Sequence, residues 1–126
     1  MEQEELTGKF IGAAIRLHRE LGPGYLGSIY EEALCLELDA IGLRYARQMP
    51  VEIRYRGTRV GEHRLDLLVA DSVVVELKAV LEIQDIYNAT LRSYLRATGK
   101  SVGLLLNFAS VTLQTKRIGP DLPPRP

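Results

Sequence analysis

The chain has 126 residues, 46% hydrophobic and 25% charged, and its sixteen basic residues are balanced by sixteen acidic ones. No run approaches the roughly 18 apolar residues of a membrane span, and a net charge of zero rules out adhesion to polyanions through global charge, so any such surface must be local. Met1-Glu2-Gln3-Glu4-Glu5 lacks the basic-then-apolar order of a secretion signal and Cys35 has no disulfide partner, so a reducing cytoplasm is the expected setting.

Residues from about Glu4 to Leu21 read as an amphipathic helix, with Phe10, Ala13, Ala14, Leu17 and Leu21 at spacings of three and four, stopped by Gly22-Pro23-Gly24. A second helix is predicted from Ser28, as N-cap, to Ala40, with Gly42 as its stop. Gln48 to Tyr55 follows as a strand, Arg56-Gly57-Thr58 as a turn, and Arg59 to Val69 as the next strand. After Ala70-Asp71-Ser72 comes a third strand, Val73 to Val80. Asp85 to Thr98 is the clearest helix, with a stripe of Ile83, Ile86, Tyr87, Thr90, Leu91, Tyr94, Leu95 and Thr98 closed by Gly99. Val102 to Leu106 is a nearly unbroken apolar run, as in a strand buried on both faces, and Val111 to Ile118 reads as a final strand. The Pro-rich tail, 120–126, is predicted to stay out of the sheet and be disordered, which leaves residues 1–119 as a single domain.

The predicted order is α, α, β, β, β, α, β, β. Short turns make the first three strands an antiparallel meander. The third strand, the Asp85–Thr98 helix and the Val102 strand form a parallel crossover, expected to be right-handed. An α+β domain follows, with helices on the faces of a mixed sheet.

Two stretches place charge inside apolar strands: Arg64-Leu65-Asp66-Leu67-Leu68-Val69 and Val73-Val74-Val75-Glu76-Leu77-Lys78-Ala79. Residues i and i+2 share a face of a strand, so Glu76 and Lys78 project side by side. If the turn at Ala70-Asp71-Ser72 sets Val69 opposite Val73, counting back sets Asp66 opposite Glu76 and Arg64 opposite Lys78. Facing carboxylates favour a shared proton or a divalent cation such as Mg²⁺. A slip of one residue would move Asp66 to the other face. On the second helix Glu31 heads a stripe continued by Leu34, Cys35 and Leu38, so a third carboxylate points toward the core side.

Asp66, then Glu76-x-Lys78 on the next strand, with Glu31 on a preceding helix, resembles the PD-(D/E)xK nuclease superfamily. Leu21-Gly22-Pro23-Gly24, Tyr30-Glu31-Glu32-Ala33-Leu34, Val75-Glu76-Leu77-Lys78-Ala79 and Tyr94-Leu95-Arg96-Ala97-Thr98-Gly99 further resemble the small bacterial proteins called the GxxExxR family. The resemblance runs from about Leu6 to Ile118 and implies a restriction-endonuclease-like core that hydrolyses phosphodiesters of nucleic acid, DNA in preference to RNA, with Mg²⁺ or Mn²⁺. Carried over by position, Asp66, Glu76 and the backbone carbonyl of Leu77 would hold the metal. Lys78 would orient or deprotonate the attacking water, and Glu31 would hold a water of the metal. Leu65-Asp66 stands where the motif usually has Pro-Asp, and Thr90 stands where many relatives have Gln.

Arg92, Arg96 and Lys100, at i, i+4 and i+8, are candidate phosphate contacts, as are Arg54, Arg56 and Arg59 at a turn and Lys116-Arg117 near the last strand; a solvated charged face is the competing explanation. Tyr87 and Tyr94 are assigned to the core, His18 and His63 to the surface, and Cys35 to inert packing. The rival to hydrolysis is a nucleic-acid- or protein-binding module that keeps the fold without turnover. The minimal size of the domain raises the expectation of a homodimer or a protein partner.

Overall fold

The computed structural model describes residues 3–121. Two helices, α1 (Gln3–Leu21) and α2 (Gly27–Ile41), precede strands β1 (Tyr45–Tyr55), β2 (Thr58–Val69) and β3 (Val73–Lys78). Helix α3 (Asp85–Thr98) then leads to β4 (Val102–Asn107) and β5 (Gln114–Ile118). The order and type of every element agree with the sequence reading. The strands lie β1-β2-β3-β4-β5 in one mixed sheet, antiparallel throughout except for the parallel β3–β4 pair that α3 connects. No helix among the described residues is long and apolar enough to cross a membrane.

One face of the sheet is covered by α1 and α2. Phe10, Ala13, Leu17, Leu34 and Leu38 pack there against Leu67, Val69, Val73, Val75, Leu104 and Leu106. The other face is covered by α3, whose Leu91 and Leu95 meet Val51, Leu65, Leu68, Val74 and Leu105. Every residue of β4 is buried, as its unbroken apolar run requires. At Gly103 the helix comes so close that a Cβ would lie 2.9 Å from Cγ of Leu91, so a side chain there would push α3 off the sheet.

The β1–β2 and β2–β3 hairpins are closed by turns whose central residues have positive φ, the mirror-image geometry that matches strand twist. Arg56 (φ 51°) and Gly57 (φ 80°) turn β1 into β2. Ala70 (φ 50°) and Asp71 (φ 55°) turn β2 into β3, with Ser72 N–H donating to the Val69 carbonyl. That turn fixes Val69 opposite Val73, the register inferred from the sequence.

Several boundaries differ from expectation, each for a local reason. The N-cap of α2 is Leu26, with no side-chain capping bond, so Ser28 lies inside the first turn. What anchors this helix start is Tyr30, whose hydroxyl donates to the Gly22 carbonyl at 2.6 Å and accepts from the Tyr25 N–H. β1 begins at Tyr45 rather than Gln48, because Tyr45, Ala46 and Arg47 pair with Val69, Leu68 and Leu67. β3 stops at Lys78, since the backbone of Val80 bonds instead to the Asn107 side chain. β5 starts only at Gln114, after bends that leave Val111 in solvent. His18, expected at the surface, is buried, with Nε2 3.1 Å from the Phe108 carbonyl oxygen. On α3, Ile86 is exposed and Asn88 is buried, with no hydrogen-bond partner for its Oδ1 among the described residues. Cys35 is a buried free thiol. Of the predicted tail, residues 122–126 lie outside the described residues, and Pro120 and Asp121 follow the last strand without joining it.

Candidate active site

The strands carrying the charged motifs do not alternate regularly, and that irregularity makes the site. Leu65 packs under α3, whereas Leu67, two residues on, packs under α1 and α2. In an unbroken strand they would share a face. β2 therefore turns over at Asp66. β1 turns over beside it at Gln48, whose φ of 49° lets Arg47 reach α2 while Val51 packs under α3.

The β2–β3 ladder ends at Leu67 and Val75, one step short of the expected Asp66–Glu76 rung. Beyond it β2 leaves β3, and the Asp66 side chain bridges the gap: its Oδ2 accepts the Leu77 N–H at 2.8 Å. Glu76 turns its Oε1 toward the Asp66 N–H at 3.5 Å. Asp66 and Glu76 thus meet through bonds of each carboxyl to backbone N–H groups, not as the directly opposed pair that was expected. Arg64 does not face Lys78. It lies opposite Pro50 and donates to the Gln48 carbonyl, while the strand neighbour of Lys78 is Asn107.

Glu76 is buried, and its carboxyl is pushed up to about 8, first by loss of water, then by the Asp66 charge and the hydrogen bond they share. Lys78 acts in the opposite sense, but less strongly. At neutral pH the pair therefore retains a proton. Nζ of Lys78 lies 4.6 Å from the centre of the Tyr87 ring, and among the described residues it makes no ion pair within 4.0 Å. Tyr94 completes this side: burial and then the charges of Glu76 and Asp66 push its hydroxyl up, and that hydroxyl lies 3.3 Å from Nδ1 of His63. Tyr87 and Tyr94 are half-buried, pack against the cluster beneath α3 as expected, and also border the charged groups.

Glu31 reaches the same region from α2. Its Oε2 accepts from Arg47 at 2.8 Å and its Oε1 from Gln48 at 3.0 Å. Gln48 Nε2 also lies 3.5 Å from Asp66 Oδ1, so this amide links the two carboxylates. Arg47 holds Glu32 as well, keeping that carboxyl below its ordinary range. Glu31, Gln48, Asp66 and Leu77 line a cleft of 290 Å³ with Gly27 and Ser28 of α2. A larger hollow of 790 Å³, lined in part by Asp39, Arg44, Tyr45 and Asp71, brings none of the predicted site residues together.

Asp66 and Glu76 are a pair, not a cluster. Among the described residues, no three His, Cys, Asp or Glu side chains converge as a metal-binding group. Arg92 and Arg96 lie on α3, but Lys100 falls beyond its end at Gly99 and pairs with Asp71 at 3.5 Å, so the basic series does not continue as one helical row. Arg47, Gln48 and His63 escaped the sequence reading as neighbours of the site. The contacts of Arg47 and Gln48 span fifteen or more positions, and nothing in their local pattern marks them.

A family model for the PD-(D/E)XK nuclease superfamily matches residues 4–118. No curated protein sequence matches the chain. Among solved structures the chain is similar to the crystal structure of SSO0001, with a TM-score of 0.58 and 18% identity over 77% of this chain and 52% of that one. The chain thus spans about half the length of that structure, and at this identity the likeness concerns the fold alone.

Proposed function

The chain belongs to the PD-(D/E)XK nuclease superfamily, and from that premise we propose that it is a divalent-metal-dependent nuclease whose reaction centre is Asp66, Glu76 and Lys78. The observation that carries this reading is the approach of the Asp66 and Glu76 carboxyls, with Glu76 pushed up to about 8 by burial and then by the Asp66 charge. Hard oxygen donors suit a hard cation, and a divalent ion held by the two would supply the positive charge that burial and the Asp66 charge now leave to a proton. Asp66, Glu76 and the Leu77 carbonyl would hold Mg²⁺ or Mn²⁺. When bound, the ion would neutralise phosphate charge and acidify a water.

The chain's own residues supply the rest. The Leu77 N–H fixes the Asp66 carboxylate, and Gln48 links it to Glu31. Glu31, partly neutralised by Arg47, orients water at the cleft side. Lys78, steadied over the Tyr87 ring and bound by no carboxylate among the described residues, is available to a phosphate oxygen and to the attacking water. Arg92 and Arg96 are proposed backbone contacts for nucleic acid, with DNA as the preferred substrate. The setting is the cytoplasm, and target choice falls to a protein partner.

The test is incubation of the purified protein with DNA and with RNA, with and without Mg²⁺ or Mn²⁺. Metal-stimulated cleavage that Lys78→Ala removes is expected. Cleavage that ignores both the metal and this substitution, or none at all, would remove the enzymatic claim, and nucleic-acid binding that survives Glu76→Ala without metal would put a binding module in its place.

A further inference from the structure

Beyond Lys78 the chain leaves the sheet, and one side chain sets how it leaves. Lys78, the last residue of β3, lies opposite Asn107 of β4, and the Phe108 N–H donates to its carbonyl at 2.9 Å. Residues 79–84 then run to α3 with Leu81, Glu82 and Gln84 exposed. Among the described residues, Asn107 is the only side chain that hydrogen-bonds the backbone of this segment. Its Oδ1 accepts the Val80 N–H at 3.0 Å, and its Nδ2 donates to the Val80 carbonyl at 2.8 Å. The amide thus extends the β3–β4 ladder where the backbone no longer pairs.

Asn107 has no bonding capacity left for a substrate. Oδ1 also accepts the Ala109 N–H at 3.2 Å, and Nδ2 also donates to Oε1 of Gln114 at 2.8 Å. The residue is 0% exposed. An apolar side chain of similar size would leave the Val80 N–H and carbonyl without partners. The Phe108 peptide is held from behind as well, with its carbonyl oxygen 3.1 Å from Nε2 of buried His18. On either side of this clasp stand the two halves of one contact, Lys78 and Tyr87, with Nζ 4.6 Å from the ring centre. A lysine stem is flexible, so the place of its amine depends on where the two backbones stand.

We propose that Asn107 is a positioning residue: by clasping Val80 it fixes the exit of β3 and the path to α3, and so holds the Lys78 ammonium against Tyr87. The consequence for turnover rests on the reaction centre proposed above; the placement of the amine does not.

The test uses the full chain, with Lys9, Lys78, Lys100 and Lys116 converted to isotopically labelled dimethyl-lysines, which keep their charge. In the NMR spectrum the Lys78 signal, assigned by its loss in Lys78→Arg, should lie upfield of the other three through the Tyr87 ring current, and Tyr87→Leu should abolish that displacement. Asn107→Leu and Asn107→Asp should abolish it too, while Val75→Ala, destabilised on the other face, keeps it. The Val80 N–H should exchange with solvent as slowly as that of Phe108. A folded Asn107 variant with the Lys78 signal unmoved, or a Val80 amide that exchanges freely in wild type, would overturn the proposal. Should neither Asn107 variant fold, Gln114→Ala decides: faster Val80 exchange and a smaller displacement are expected, and no change in either would overturn it. In a protein that cleaves, Asn107→Asp should lower kcat on the order of tenfold with KM nearly unchanged, and an unaltered kcat would overturn the role in turnover. A wild type that cleaves nothing would instead remove the nuclease reading, and the displaced signal would still decide the role of Asn107.

Discussion

On one side of β3, Val73 and Val75 point into the core beneath α1 and α2; on the other, Val74 is followed by Glu76 and Lys78 beneath α3. Six consecutive residues thus serve packing at every alternate position and, at the far end of the second face, hold two ionisable groups in a largely dry setting. The apolar face stabilises the strand that the charged face needs. Burial that is favourable for Val75 is unfavourable for Glu76, and the structure retains it. Such a residue is expected where function, not stability, decides.

The sharpest way to separate the two faces is to alter one position on each. Lys78→Ala should lower the cleavage rate on the order of 10²–10³-fold while leaving the thermal transition nearly unchanged, since it removes one placed charge and no core volume. Val75→Ala should do the reverse. Loss of two methyl groups and the resulting cavity should cost about 2–3 kcal/mol in urea unfolding, with the residual folded fraction still active. Equal effects of the two substitutions on both quantities would erase the distinction.

The pH dependence of stability gives the next largest effect. Because burial and Asp66 raise the Glu76 carboxyl from 4.5 to about 8 in the folded chain, the stabilisation tied to its proton is fully present below about pH 4.5 and is lost as pH rises through about 8. Metal-free wild type should therefore lose on the order of 4 kcal/mol between pH 5 and pH 9 from this group. Glu76→Gln, which cannot ionise, should flatten that slope and be the more stable form at pH 9. A variant that tracks wild type across this range would show that Glu76 ionises in the fold at no cost.

The smallest effect concerns the Tyr87 ring beneath Lys78. Tyr87→Leu should reduce cleavage about tenfold, whereas Tyr87→Phe, which keeps the aromatic face, should be near wild type. Equal losses in both would place the importance in the hydroxyl.

The sequence made Asp66, Glu76 and Lys78 conspicuous because each interrupts an apolar run, and the supposed three-residue turn at Ala70-Asp71-Ser72 placed Val69 opposite Val73 correctly. It did not reveal that β2 turns over at Asp66. The reversal depends on Gln48 adopting a positive φ, and Gln carries no signal for that conformation as Gly would. The ladder was therefore expected to continue through Asp66 to Arg64, where it in fact stops at Leu67. Helix α3 was legible to its ends, through Asp85 in the first turn and Gly99 as cap, but Asn88 was not, since a polar residue on a buried side breaks the apolar stripe. His18 was misplaced because its partner is a backbone carbonyl 90 positions away.

The central claim is that Asp66 and Glu76 share a site for one divalent cation, and calorimetric titration of metal-free protein with Mn²⁺ at pH 7 tests it most directly. With Glu76 pushed up to about 8, the account predicts a single site whose occupation releases close to one proton, seen as a dependence of the heat on buffer ionisation, and Glu76→Gln should abolish both the binding and the release. Absence of binding, or identical isotherms for wild type and Glu76→Gln, would contradict it.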